Sequence, residues 1–509
     1  MAESNTPSDK IAKELKEKES ANNILGLLHR RREEATEELV RTILSKNKIY
    51  TIRSDVKTEM WIYDKGIYKP QGKTYIQEYC RTVLGEAYTT YICNQVISKI
   101  EADTFIESSV FFDNNIVNEV PVTNGILDIL TLELKPFSPE KIFFSKLPMK
   151  YDKEQDCLNI KKHFKTVLSS ESDILVIQEL FGYLLLKEMK IEKAVMFNGD
   201  GRNGKGKTLD LMKRFIGVEN CSSVALETLE NDNFIVSELF GKMANLAGDI
   251  NKTAIENSGM FKNLTGRDMI TAPRKFLPPI YFTNYAKMVF ACNELPRTYD
   301  LTPAFWSRWI YIEFPYTFKT KEEIEKEENK ELLREIDPEI IQKIATPEEL
   351  CGCLNWALVG LHRLLKQKDF SGNLSSKEIE ELWSRKSDSF LAFCKDHVVE
   401  DYEGKISKKE LRWNYSTYCK KHKLRTSSDR NIKRTLSDLF GAAEGRESDF
   451  EREMVWLGIS LNSDYVKDVK DDTGFQAHIQ NRNSVIGLKV GDKSDNLDEF
   501  SEIIEEEVK

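Results

Sequence analysis

Between Ala194 and Met212 the chain reads AVMFNGDGRNGKGKTLDLM, an apolar run that breaks into a glycine-rich loop and resumes with helical character. Glycine lets the backbone curl until several N–H groups converge on one anion. A lysine adds charge, and the first turn of a helix directs its dipole at the same point. Phosphate binding is the chemistry this spacing suits. Its candidate residues are Gly199, Asp200, Gly201, Arg202, Asn203, Gly204, Lys205, Gly206, Lys207 and Thr208. Two registers are open. Counted from Gly201, the pattern G-x-x-x-x-G-K-[ST] ends on Gly206, Lys207 and Thr208, whose hydroxyl could ligate Mg²⁺. Counted from Gly199, it ends on Gly204 and Lys205, with Gly206 where the hydroxyl belongs. The apolar strand Ala194–Phe197 stops almost directly before Gly199, which favours this second count.

Hydrolysis on such a loop needs an acid at the tip of a neighbouring strand to hold Mg²⁺ and orient water. MANLAGDI supplies one, Asp249, after an apolar run. KMVFACNELPR offers Asn293 as a polar group at the next strand tip, and AFWSRWIYIEF places Arg308 before a third apolar run, where an arginine could stabilise phosphate charge. Each alone has a plainer reading: a helix cap, a turn, an ion pair. Their sequence after the loop is what raises them together.

These residues need an α/β scaffold. Residues 1–50 read as charged helix, and 51–190 as an α/β domain in which MWIYDKGIYKP has the Asp-Lys-Gly signal of a hairpin. Strands alternate with helices over 191–318, as a parallel-sheet core requires. Residues 319–385 read as mainly helical, 386–462 as a compact basic module, and 463–509 as an acidic, aromatic-poor, disordered tail. The 509 residues carry a net charge of −9, which would argue against nucleic acid if it were evenly spread. It is not: Lys405 to Arg434 hold eleven Lys/Arg against Glu410 and Asp429, and the local field decides where a phosphate backbone settles. Within this module Trp413, Tyr415 and Tyr418 sit at helical spacing and read as core, with stacking on bases as the alternative. The polar N-terminus is no secretory signal, no stretch approaches a membrane span, and nine scattered cysteines with six histidines form no zinc pattern. A reducing cytoplasm is the expected home.

Taken jointly, these motifs resemble the superfamily 3 helicase part of the phage, plasmid and poxvirus-type primase–helicases. That family's loop, G-x-G-x-N-G-K-[ST], corresponds to Gly199, Gly201, Asn203, Gly204 and Lys205, with Gly206 departing from the usual hydroxyl. FKNLTGRDMITAPRKF resembles the segment whose hairpin reaches into a central DNA channel, which implies DNA contacts for Lys262, Arg267, Arg274 and Lys275, with Asp268 beside them. KMVFACNELPR resembles the sensor motif and TPAFWSRWIYIEFP the arginine-finger segment. The C-terminal module is similar to the family's winged helix, which implies duplex or origin binding with Lys420, Lys421, Lys423, Arg425, Arg430, Lys433 and Arg434 as DNA-binding candidates. The resemblance covers roughly residues 50–462. It implies an AAA+-like P-loop ATPase core, ATP and Mg²⁺ (held by Asp249 and, in the alternative register, Thr208), a homo-hexameric ring on DNA and no membrane. Catalytic roles fall to Lys205, Asp249, Asn293 and Arg308, the last acting on a neighbouring subunit's nucleotide.

Residues 1–190 hold no Asp-x-Asp pair or Cys/His cluster of the kind a fused primase needs, so primer synthesis is not expected and a separate primase is a possible partner. Two rivals remain: an ATP-dependent initiator that assembles on DNA without unwinding it, and a small-molecule nucleotide kinase. The basic module and the Asn293 and Arg308 motifs count against the kinase.

Overall fold

The computed structural model describes residues 22–28, 30–54, 58–112, 116–251, 255, 258–275, 277–298, 300, 302–422, 424, 426–446 and 454–462. Lys423, Arg425, residues 1–21 and the tail 463–509 lie outside these. The chain divides into two compact units, Met1–Tyr151 with Met269–Thr283, and Asp152–Asp268 with Asn284–Lys509.

In the first unit, α1 (Arg32–Lys46), α2 (Gly72–Leu84) and α3 (Thr90–Asp103) share one core, because each repeats apolar residues at helical spacing. Leu39 and Ile43 meet Ile76, Cys80, Val96 and Ile100 there. The adjoining sheet has the order β3-β2-β1-β4, built from β1 (Ile49–Ile52), β2 (Glu59–Asp64), β3 (Ile67–Lys69) and β4 (Phe105–Ile106). Asp64 pairs with Ile67 across a two-residue turn, Lys65-Gly66, in which both residues have positive φ. That is the backbone a tight hairpin demands, as the Asp-Lys-Gly signal predicts. An aromatic cluster of Trp61, Phe111, Phe112 and Phe144, with centroids 5.1 to 5.7 Å apart, forms a second core. A small sheet of β5 (Glu119–Val122), β6 (Gly125–Asp128) and β7 (Leu134–Lys135) completes the stretch.

The second unit begins with α4 (Leu158–Val167) and α5 (Glu171–Tyr183), which lead into β8 (Ala194–Asn198), α6 (Lys205–Ile216), β9 (Cys221–Ser222) and β10 (Ala244–Ala247). The chain then forms the hairpin β11 (Met269–Arg274) and β12 (Leu277–Thr283), which groups with the first unit, and re-enters as β13 (Lys287–Cys292) and β14 (Trp309–Glu313). Five parallel strands stand in the order β14-β8-β13-β10-β9. Every residue of β8, β10 and β13 is buried, the mark of a parallel sheet covered on both faces.

Two short parallel strands, β15 (Thr317–Lys319) and β16 (Leu333–Glu335), follow, so the stretch read as helical is not wholly so. Next comes α7 (Pro347–Gln367), started by the Thr346 cap and Pro347, with Cys351 and Cys353 buried in it. It crosses α5 at backbone contact. A Cβ on Gly182 would lie 2.3 Å from the Ala357 carbonyl oxygen, and one on Gly360 2.4 Å from that of Gln178. Beside the crossing, Arg363 pairs at 2.6 Å with Glu179, whose side chain is wholly buried. α8 (Ser376–Ser387) connects to the C-terminal module: α9 (Ser389–His397), β17 (Val398–Ser407), α10 (Lys408–Lys421), α11 (Asp429–Phe440), β18 (Ala443–Arg446) and β19 (Met454–Leu461). Its antiparallel sheet has the order β17-β19-β18. Tyr415 and Tyr418 lie in the module's core with Phe390 and Phe393, whereas Trp413 is 65% exposed, against the expectation that all three are core. Residues two apart on a helix face nearly opposite sides, so Trp413 cannot share the stripe of Tyr415. Among the described residues no helix is long and apolar enough to cross a membrane.

Candidate functional site

Parallel strands all end at one edge of their sheet, and ligands settle where that edge opens. Here β8 ends at Asn198, β13 at Cys292 and β10 at Ala247, so the 199–204 loop, Asn293 and Asp249 all emerge there. The loop closes tightly. A Cβ on Gly199 would sit 2.4 Å from the Phe314 carbonyl oxygen, and Gly204, with φ of +94°, starts α6 in a left-handed conformation against Val167 of α4. Asn203 is buried and donates to the Phe314 carbonyl at 3.3 Å.

Lys205 is the first residue of α6 and only 5% exposed. Its ammonium donates to the carbonyls of Gly199 (2.5 Å) and Asp200 (3.2 Å), and to Oδ1 of Asn203 and of Asn293 (both 3.1 Å). Burial pulls its pKa below the usual lysine value, opposed by the charges of neighbours including Asp249 and Asp200. Lys207 is exposed. Thr208 is fully buried a turn further along, and its hydroxyl donates to the Gly204 carbonyl at 3.2 Å. Gly206 faces open space, as does Gly201. Arg202 has φ of +59° and pairs with Glu323 at 3.2 Å. Asp249 is exposed, with φ of +51°. Beneath the loop Asn198 accepts from the Tyr311 hydroxyl at 3.0 Å and donates toward the Asn293 carbonyl at 3.4 Å, tying the tips of β8, β13 and β14.

Arg308 lies elsewhere. It precedes β14, whose first residue pairs with Ala194, at the opposite edge of the sheet from the loop. Its guanidinium donates to the Ala304 carbonyl and to Glu192 at 3.4 Å. Among the channel candidates, Lys262 is paired with Asp300 at 2.8 Å and Arg274 with Glu59 at 2.9 Å. Arg267 is exposed and bonds the Lys190 carbonyl at 3.1 Å, while Lys275 is exposed at the hairpin turn. Lys420, Lys421, Arg430, Lys433 and Arg434 are exposed on α10 and α11.

A cleft of about 1400 Å³ opens at the loop edge and extends to Arg430, Lys433 and Arg434 of α11. Its wall contains residues that the sequence did not single out. Arg297 pairs with Asp388 at 2.7 Å, Lys386 with Glu313 at 2.5 Å, and the Trp383 indole donates to the Pro296 carbonyl at 2.7 Å. Asp388 also caps α9 through Phe390 and Leu391. The end of α8 thus grips the tips of β13 and β14. The spacing of Arg297 behind Asn293 was the only sequence signal available; the partners come from ninety residues away.

Family comparisons match residues 10–169 to "D5 N terminal like" and residues 197–305 to a family of unknown function (DUF5906). The chain is 26% identical over 289 residues, 52% of its length, to "Putative helicase 121R" of Invertebrate iridescent virus 3, and 25% identical over 291 residues, 54% of its length, to "Putative helicase L207/L206" of Acanthamoeba polyphaga mimivirus. It spans 31% and 30% of these relatives' own lengths. Among solved structures, two of the NrS-1 C-terminal region align over 83% of this chain and 98% and 99% of theirs, with TM-scores of 0.41 and 0.43 at 15% identity. On the "D5 N terminal like" match and the two viral relatives, the resemblance to the phage and viral primase–helicase family holds.

Proposed function

We propose that this chain is an ATP-dependent DNA helicase subunit, with a P-loop, AAA+-like core in its second unit and a winged-helix module at 386–462. The observation that carries the reading is the convergence on one ammonium. Lys205 is held between the loop and Asn293, at the edge where three parallel strands end. A phosphate chain entering the loop is a stronger acceptor than the carbonyls it displaces, and it would meet N–H groups at the start of α6. In this reading Lys205 neutralises the β/γ oxygens and Asn293 orients the attacking water. Asp249, exposed beyond β10, fits a Mg²⁺ ion that takes one carboxylate and keeps several waters. Bound there, Mg²⁺ would supply charge neutralisation at the phosphates. Thr208 fits less well, because its hydroxyl is already bonded to Gly204.

Arg308 then acts only between subunits, since its own loop lies across the sheet; a homo-hexameric ring provides that geometry. The β11–β12 hairpin would track one strand through Lys275, with Lys262, Arg267 and Arg274 nearby in sequence. Lys420, Lys421, Arg430, Lys433 and Arg434 would hold DNA at the C-terminal module. The initiator alternative keeps one specific support, the bare Gly206 in place of a hydroxyl.

The test is ATP hydrolysis with and without single-stranded DNA. DNA-stimulated turnover should fall by ~10²–10³-fold in Lys205→Ala and stay within about twofold in Lys207→Ala. Loss in Lys207→Ala alone would move the register to Gly201–Thr208. Turnover indifferent to DNA would remove the motor, and stimulated turnover without strand separation on a forked substrate would favour the initiator.

A further inference from the structure

We propose that Trp413 is a stacking platform for an unpaired base of single-stranded nucleic acid; this rests on the reading of residues 386–462 as a DNA-binding module. α10 buries Leu411, Tyr415, Tyr418 and Cys419, which fall on one stripe of the helix. At ~100° per residue the face diametrically opposite carries Lys409, Trp413 and Lys420, all within about 40° of one another. All three are exposed, and Trp413 is 65% so. The fold gains little from a tryptophan here, because most of its ring stays in water as it does in the unfolded chain and the core stripe does not use it.

What surrounds it selects the partner. With a rise of ~1.5 Å per residue, Lys409 lies about 6 Å below Trp413 along the helix and Lys420 about 10 Å above. The ring has a lysine on either side along the helix, with the exposed Glu410 about 60° round from it, in the most basic stretch of the chain. Arg412, the next residue on the flank, pairs with Asp429 of α11, while the buried stripe of α10 fixes the direction of the exposed face. A flat aromatic between two positive charges matches a base between two phosphates. A protein partner of apolar character would meet lysines on either side. A duplex offers no exposed base face, so stacking selects a single strand.

The experiment measures affinity of the full chain without nucleotide for three fluorescent probes: an oligo-dT strand, the same strand with an abasic central block, and a duplex of equal length. Trp413→Ala should weaken oligo-dT binding by roughly 5- to 100-fold, leave the abasic strand and the duplex unchanged, and be rescued largely by Trp413→Phe. Thermal melting checks that both variants fold, as the exposed position predicts. Equal loss on all three probes, or no loss on oligo-dT, overturns the platform. In the second case, intact DNA-stimulated ATP hydrolysis leaves the motor standing; a chain that binds no single strand at all loses both.

Discussion

The loop at the sheet edge and the basic face of α10 and α11 both offer cations to phosphate, and they are built in opposite ways. Lys205 is enclosed, held by four oxygens, and reached through a backbone that tolerates no extra atom at Gly199. Lys420, Lys421, Lys433 and Arg434 stand in water on two helices. Enclosure strengthens each electrostatic contact and makes geometry decisive, whereas an exposed field sums many screened contributions and is indifferent to the loss of one. The first arrangement suits a reaction at a defined atom. The second suits a polymer that must slide.

Gly199→Ala should break the first region most severely. Its methyl would sit 2.4 Å from the Phe314 carbonyl oxygen, so the loop must open and nucleotide binding, read by a fluorescent ATP analogue, should be lost. If binding survives, enclosure is not what organises the loop. Acid tests the floor beneath it. His163 on α4 is 5% exposed, its Nε2 is buried without a hydrogen-bond partner among the described residues, and burial pulls its pKa down to about 4. The unfolded chain protonates first, near pH 6.5. Stability is therefore full above that value and falls toward pH 4, by roughly 1 kcal/mol per unit. His397, also drawn to about 4 chiefly by burial, does the same for the basic module, so both regions should soften together in acid melts. His163→Phe should remove its own share of the slope and leave that of His397.

A smaller effect is expected on the exposed face. Lys433 shares Glu444 with Lys408, and Lys433→Ala should weaken DNA binding only about two- to threefold while lowering the slope of log affinity against log salt by about one. A tenfold loss would mean that the face is as organised as the loop. Smallest of all, Gly206→Ser meets open space at the start of α6 and should change stability by less than ~0.5 kcal/mol. A larger change would show that the loop's freedom from side chains extends one residue beyond its last strained glycine.

The loop was legible because its demands fall on residue type: only glycine fits at 199 and 204, and the helix begins where the strand's end dictates. The choice between Lys205 and Lys207 was half legible, since two residues of a helix point apart but the sequence alone does not say which one points in. Asp388, Lys386 and Trp383 were invisible. Their meaning depends on which strand tips they reach, and that is set by packing of distant segments. Trp413 departs from the core reading for a simpler reason. Three aromatics within six residues look like one stripe until the phase of Leu411 and Cys419 fixes which side is inward.

At the α5–α7 crossing, Gly182 and Gly360 let two backbones touch where side chains would ordinarily separate them. A small displacement there would break the Arg363–Glu179 pair before either charge is rehydrated, which adds to the cost of partial opening. In the language of hydrogen exchange, the amides around this crossing should exchange only with the cooperative unfolding of the unit that carries the loop.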